Sequence, residues 1–165
     1  HDAMPTLKIT TNAAANNLKM RGYVFNAYGR RRQLPEKASY RAFNTIMQSC
    51  AADVMKERTV ALAPRYNAWS RSVGLKLCAS VHDETLGALP RAISRDPEVL
   101  ATIVCLLENT SFKFRVPMRT SCGVASTNWA DASGDACQVK VNRQLALPDV
   151  VTPARLPANP LQLPA

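Results

Sequence analysis

Long apolar runs are missing from this chain: nowhere in its 165 residues is there a stretch that could cross a bilayer as a helix. A membrane partner is therefore not expected. Acidic residues are scarce as well, 12 against 21 lysines and arginines, which leaves a formal charge of +9 and a pI near 9.7. Such an excess favours a polyanionic partner and specifies no chemistry. Histidine occurs only twice, as His1 and His82, and neither stands at ligand spacing to a cysteine, so a zinc site is set aside. The five cysteines, Cys50, Cys78, Cys105, Cys122 and Cys137, contain no C-x-x-C pair. An odd, scattered set in apolar surroundings reads as reduced, mostly buried thiols of an intracellular protein. The opening residues HDAMPTLKIT carry no apolar core of a signal peptide, and no secretory leader is expected from them.

What is present suffices for one modest domain with a core of its own. NAAANNLKMR, residues 12–21, predicts the end of a helix stopped at Gly22. GYVFNAYGRRRQLPE predicts a hairpin or irregular ribbon that turns at Gly29, with Arg30, Arg31 and Arg32 as a basic tip. From Ala38 to about Leu62 the pattern is helical. Phe43, Met47, Cys50, Val54 and Ala61 form its apolar stripe; Arg41, Asn44, Gln48, Ala51 and Ala52 lie on the other side. Pro64 ends or kinks this helix, and RYNAWSRSV offers a further turn or two. Leu75, Leu77, Ala79 and Val81 then alternate with Lys76, Cys78 and Ser80 as a strand, and residues 85–90 return as its partner. In SRDPEVLATIVCLLENT, Asp96 is the N-cap, Pro97 the first helical residue and Glu98 part of the first turn. Its Val99, Leu100, Ile103, Val104, Leu106 and Leu107 are expected to cover a sheet. PMRTSCGVA predicts a last strand. Beyond Trp129, Pro148, Pro153, Pro157, Pro160 and Pro164 predict an extended or disordered tail.

The stretch LKLCASVHDETLGALP places His82, Asp83 and Glu84 at the bend of what reads as a buried hairpin. Taken alone, the trio also describes a solvated turn between strands. Its neighbours change the reading. Four blocks in order, GYVFNAYGRRRQLPE, RAFNTIMQSCAAD, SVHDE and VPMRTSCGVASTNWADA, resemble the carboxy-terminal part of the family A DNA polymerases. That is the group of bacterial DNA polymerase I, its phage relatives and the mitochondrial replicase. The likeness runs from about Gly22 to Ala132 with similar gaps. It implies an α+β fold, a partial polymerase palm in which an antiparallel hairpin carrying the HDE turn packs against long helices. Residues 1–21 would end a linking helix, 22–132 form the carboxy-terminal part of the palm, and 133–165 the proline-rich tail.

The resemblance also implies site residues. Asp83 takes the place of a family aspartate that binds catalytic magnesium, and Glu84 follows as an auxiliary or water-mediated ligand. Magnesium suits a few hard oxygen ligands, with water and phosphate completing its shell. Phosphoryl transfer uses a metal pair to polarise the attacking 3′-hydroxyl and to offset charge on the leaving pyrophosphate. His82 is implied to contact the primer-terminal backbone. Asn44 and Gln48 match the family's N-x-x-x-Q, implied to follow the minor groove, where acceptors differ little between base pairs. Four residues apart, they share a helix face with Arg41; an ordinary wet helix face has the same composition. The family often has an arginine four residues before the asparagine, where this chain has Tyr40. Arg30 and Arg31 stand in the family's GRR and are implied phosphate contacts through their planar forks. Arg32 reads equally as part of a solvated turn. Asp53, in AAD, is expected to pair or cap within the palm, and Asn128 and Trp129 to pack.

A family metal site needs a second aspartate on an earlier strand, and its nucleotide-binding helix carries Lys, Arg and Tyr. Of the 12 acidic residues only Asp2 precedes Gly22, and nothing before Gly22 resembles either feature. The expectation is a subunit or fragment of a DNA-directed DNA polymerase. It would act on primer–template DNA once a partner chain supplies the first aspartate, the fingers and the dNTP site. Magnesium would be shared between the two chains. The compartment would be the cytoplasm or another DNA-containing intracellular space, a phage-infected bacterial cell included. Two further readings stand beside this one. A non-catalytic DNA-binding module is disfavoured because two carboxylates at a DNA-facing turn repel phosphate without a metal. A single-subunit RNA polymerase relative is disfavoured because serine typically follows its HD, where this chain has Glu84.

Overall fold

The computed structural model describes residues 5–111, 114–133 and 137–151. The chain divides into two compact units, His1–Lys56 and Glu57–Ala165. The fold is α+β, with antiparallel hairpins and long helices.

The first unit opens with α1 (Pro5–Arg21), which buries Ala14 and Leu18, one turn apart on one side. Gly22 closes it in the left-handed region (φ 74), donating its N–H to the Leu18 carbonyl at 2.7 Å. The expected ribbon follows: β1 (Tyr23–Phe25) pairs antiparallel with β2 (Arg31–Gln33), Val24 opposite Arg32 and Phe25 opposite Arg31. Alternation turns Val24 inward and leaves Phe25 exposed. Val24 packs with Ala14, Leu18 and Ala42, flanked by the partly buried Leu34, Phe43 and Ile46.

The helix expected from Ala38 starts later. Pro35 accepts the Ala38 N–H at 2.8 Å, a tight three-residue closure, and residues Glu36–Arg41 wind as 3₁₀ helix. Ala38 itself is non-helical (φ −98, ψ 17), and α2 runs Ala42–Leu62, continuing from the first unit into the second. The apolar stripe also differs from the one predicted. Met47 is 54% exposed, while Ser49 and Asp53 are buried beside Ala42 and Val54. Polar residues with internal partners occupy core-facing positions, so counting apolar residues places the stripe wrongly.

In the second unit, α2 stops at Leu62, before Pro64, as expected. Asn67 caps α3 (Ala68–Ser72), its side chain accepting the Ser70 N–H at 3.1 Å. β3 (Lys76–Val81) and β4 (Glu84–Ala88) form a two-stranded antiparallel sheet, with a bulge between Leu77 and Ala79. Leu62, Leu75 and Leu106 form the core here, with Trp69, Leu77, Leu89 and Ile103 packed against them. This cluster covers only the base of the hairpin. The rest of its strands is partly or fully exposed, so the expectation of a buried hairpin holds for the base alone.

Helix α4 (Pro97–Glu108) begins as predicted, the Asp96 carboxylate accepting the Glu98 and Val99 N–H groups at 2.8 and 3.2 Å. It packs against the carboxy-terminal segment, while its Leu106 joins the cluster that holds Leu75 and Leu77. The expected last strand shrinks to β5 (Cys122–Gly123), paired with β6 (Gln138–Val139). Between them, α5 (Trp129–Ser133) starts at Trp129, which is half exposed. A 3₁₀ turn at Arg143–Leu145 and α6 (Pro148–Val151) lie along α4. The Leu147 N–H donates to Thr102 Oγ1 at 3.0 Å, and Asn109 Nδ2 to the Val151 carbonyl at 2.6 Å. The extended tail predicted from residue 133 is therefore corrected for 137–151, where Gln138–Val139 pair with β5 and the stretch from Arg143 to Val151 lies along α4; the remainder, 152–165, lies outside the described residues. Cys78 is exposed and the other four cysteines only partly buried, short of the burial expected. No described helix is long and apolar enough to cross a membrane.

Candidate functional site

Glu84 pairs with Val81, so the loop between β3 and β4 is His82–Asp83 alone. The three-residue bend read from the sequence is thus corrected: Glu84 already belongs to the return strand. Two-residue hairpin loops favour turns whose first position has positive φ, the usual place of glycine. His82 takes that position at φ 52, the one non-glycine residue with positive φ among the described residues. Such backbone costs a side-chain-bearing residue roughly 1–2 kcal/mol. His82, Asp83 and Glu84 are all exposed at this end of the hairpin.

Asp83 and Glu84 present hard oxygen donors next to each other in sequence, the ligand type that magnesium takes with water and phosphate. The donor set fits that ion as part of a site. Among the described residues no group of three His, Cys, Asp or Glu gathers to hold a metal.

On α2, Asn44, Met47, Gln48 and Ala51 are exposed at helical spacing, so the two amides do share an open face. Arg41 is not part of that helix; it ends the 3₁₀ turn before it. Its Nε donates to the Tyr40 hydroxyl at 2.8 Å, and its guanidinium lies 5.2 Å from the centre of the Tyr40 ring.

The three arginines of the basic tip diverge. Arg31 lies 5.2 Å from the centre of the Tyr23 ring, on the ribbon face that also exposes Phe25. Arg32 shares the opposite face with buried Val24 and is itself partly buried. Arg30 is drawn to Asp53: its Nε donates to Oδ2 at 2.9 Å and lies 2.8 Å from Oδ1. Asp53 also accepts from Asn26 Nδ2 at 2.6 Å. Burial raises the Asp53 pKa, but these two hydrogen bonds and the charges of Arg30 and Lys56 outweigh it and hold the carboxyl below its ordinary value. The expectation that Asp53 pairs is met. Sequence reasoning missed Asn26, whose Oδ1 accepts the Tyr28 and Arg30 N–H groups at 3.0 and 2.9 Å and so closes the turn. An asparagine three residues before a turn glycine was the available signal.

Asn128 caps α5 through Asp131, accepting its N–H at 3.0 Å and donating to its Oδ2 at 2.9 Å.

Comparison with known proteins agrees with the resemblance. Residues 2–131 match DNA polymerase family A. The chain is 35% identical over 126 residues to "DNA polymerase I, thermostable" of Thermus thermophilus, covering 70% of this chain and 14% of that one. With "DNA polymerase I" of Deinococcus radiodurans it shares 32% identity over 120 residues, covering 67% and 12%. With "DNA polymerase I" of Bacillus caldotenax it shares 28% over 141 residues, covering 79% and 15%. The chain thus spans 12 to 15% of the length of these relatives. A family match over most of the sequence, with relatives at about a third identity, makes this chain a member of DNA polymerase family A.

Proposed function

We propose that this chain is the carboxy-terminal palm portion of a DNA-directed DNA polymerase, and that Asp83 is its ligand in a magnesium site for nucleotidyl transfer to a primer 3′-end. One observation carries the reading: a family A chain holds His82 in a backbone conformation that glycine would adopt more easily, at a turn where Asp83 and Glu84 are exposed. Unfavourable backbone of this kind persists where function needs the side chain. Asp83 and Glu84 would hold the ion, which when bound supplies positive charge against that developing on phosphoryl oxygens. The His82 imidazole donates a hydrogen bond to the primer-terminal phosphodiester. Asn44 and Gln48 donate from their exposed amides to minor-groove acceptors, with little regard to sequence, as a copying enzyme requires. Arg30, Arg31 and Arg41 bind backbone phosphates. A further carboxylate, the fingers and the dNTP site come from polypeptide outside these residues, as a partner chain or as more of the same protein.

The test is primer extension by this chain combined with a family A polymerase portion that carries the other aspartate and the fingers. Asp83→Asn is expected to lower the rate at least about a hundredfold, the scale on which one electrostatic contact to a transition state counts. Equal extension by that variant refutes the role of Asp83. Duplex binding indifferent to magnesium and to Asp83, with no extension, would leave a module that only holds DNA. Extension with NTPs in preference to dNTPs would move the chain to the RNA polymerase reading.

A further inference from the structure

We infer that Asp53 is a positioning residue for DNA binding: by fixing Arg30 through Nε, it leaves the guanidinium's terminal amino groups to meet a backbone phosphate. The inference rests on the proposed primer–template binding and assigns one of its contacts a built support.

Asp53 lies on α2 with its side chain 5% exposed, against 44% for the Arg30 side chain. A buried carboxylate is costly unless paired and hydrogen-bonded. Asn26 Nδ2 and Arg30 Nε both donate to Oδ2, and Oδ1 stands 2.8 Å from the same Nε with no hydrogen bond of its own. The pairing therefore uses the inner nitrogen of the guanidinium. A phosphate is gripped by parallel N–H groups of the planar fork, which the outer pair of nitrogens provides.

The backbone that carries Arg30 is fixed by the same asparagine. Asn26 Oδ1 accepts the Arg30 N–H at 2.9 Å, the Asn26 N–H donates to the Arg30 carbonyl at 3.0 Å, and the Gly29 N–H to the Asn26 carbonyl at 3.0 Å. Gly29 has φ 77, which this turn needs. One amide thus sets the turn and one carboxylate sets the side chain that leaves it. Ordering a long arginine is then complete before the ligand arrives, which strengthens binding without adding a contact. Arg31 does not duplicate the arrangement, since it lies over Tyr23.

The experiment titrates the full chain with a fluorescent primer–template duplex across about 50 to 200 mM salt. Losing one phosphate contact lowers the slope of log K against log salt by about one. Arg30→Ala is expected to do so, Asp53→Asn to do most of the same, and the double variant to go no further than Arg30→Ala. A merely structural Asp53 would shift the melting temperature of Asp53→Asn and leave the slope at the wild-type value; that result overturns the inference. Should Asp53→Asn fail to fold, Arg30→Lys decides, because it keeps the charge and loses the fixed Nε. Affinity near that of Arg30→Ala supports the inference, and affinity near wild type overturns it. If Arg30→Ala keeps the full slope while Arg31→Ala lowers it, the inference fails and DNA binding stands. If the wild-type chain has no measurable duplex affinity, both fail.

Discussion

Glu108, the last residue of α4, ties three separate stretches of chain together. Its Oε2 accepts Arg143 Nε at 2.7 Å, and its Oε1 accepts Arg143 Nη2 at 2.6 Å and the Thr120 N–H at 2.7 Å. Arg119 Nη1 adds its charge at 3.5 Å from the same carboxylate, which is 11% exposed. Burial pushes the pKa up; the hydrogen bonds from Arg143 and Thr120 and the two positive charges bring it below the ordinary 4.5. A carboxylate whose folded pKa is depressed contributes stability that is fully present above the unfolded value and is lost as pH falls through the folded one. Glu108→Gln should therefore cost about 1–2 kcal/mol at neutral pH. In thermal melts the gap to wild type should close below the ordinary value of 4.5. A gap of constant size down to about pH 3 would show that charge is not its source. Sequence could not reveal this residue's part. Arg143 lies 35 positions away and Asn26 lies 27 from Asp53, so both pairings depend on the chain having folded. The Asp96 cap was legible because the groups involved sit within four residues of one another.

Among the elements, the β3–β4 hairpin was read correctly in kind and incorrectly in detail. Alternation and a leucine-rich base identify a strand pair, but period-two patterning does not tell how much of a two-stranded sheet a neighbour will cover. The two-residue loop and the bulge near Cys78 depend on register, which alternation leaves open. The same limit applies to α2, where buried Asp53 and Ser49 interrupt the apolar stripe and exposed Met47 imitates it. His82 allows the hairpin's backbone to be tested apart from its chemistry. Its side chain is exposed, so replacing it removes no core packing. His82→Gly should hold or raise the urea midpoint, by up to about 1 kcal/mol of stability, because glycine adopts positive φ without strain. His82→Val should lower the midpoint, since a β-branched residue suits that backbone least. A loss of stability in His82→Gly would mean that the imidazole stabilises the turn, which would remove the argument from strain to function.

For the whole chain, composition and length suggested one modest domain, whereas the contacts divide it into two compact units. The reason lies in how α2 distributes its apolar residues. Ala42, Phe43 and Ile46 belong to a cluster with Ala14, Leu18 and Val24, while Leu62 joins Leu75 and Leu106 in another. A single helical stripe in the sequence gives no sign of that division. Each cluster has few fully buried members, so each depends heavily on its leucines. Truncating a well-buried leucine to alanine costs about 2–5 kcal/mol, a large share of the roughly 5–15 kcal/mol available to a typical domain. Leu18 is the largest of the fully buried side chains in the first cluster, and Leu106 joins α4 to the second. Leu18→Ala should therefore raise amide hydrogen exchange in α1 and β1, and Leu106→Ala should raise it in α4 and β3, read residue by residue under native conditions. Unchanged protection of α1 in Leu18→Ala would mean that the first cluster does not hold its unit together. The ribbon that carries Arg30 would then need another source of order, because Val24 is the residue that seats it on that cluster.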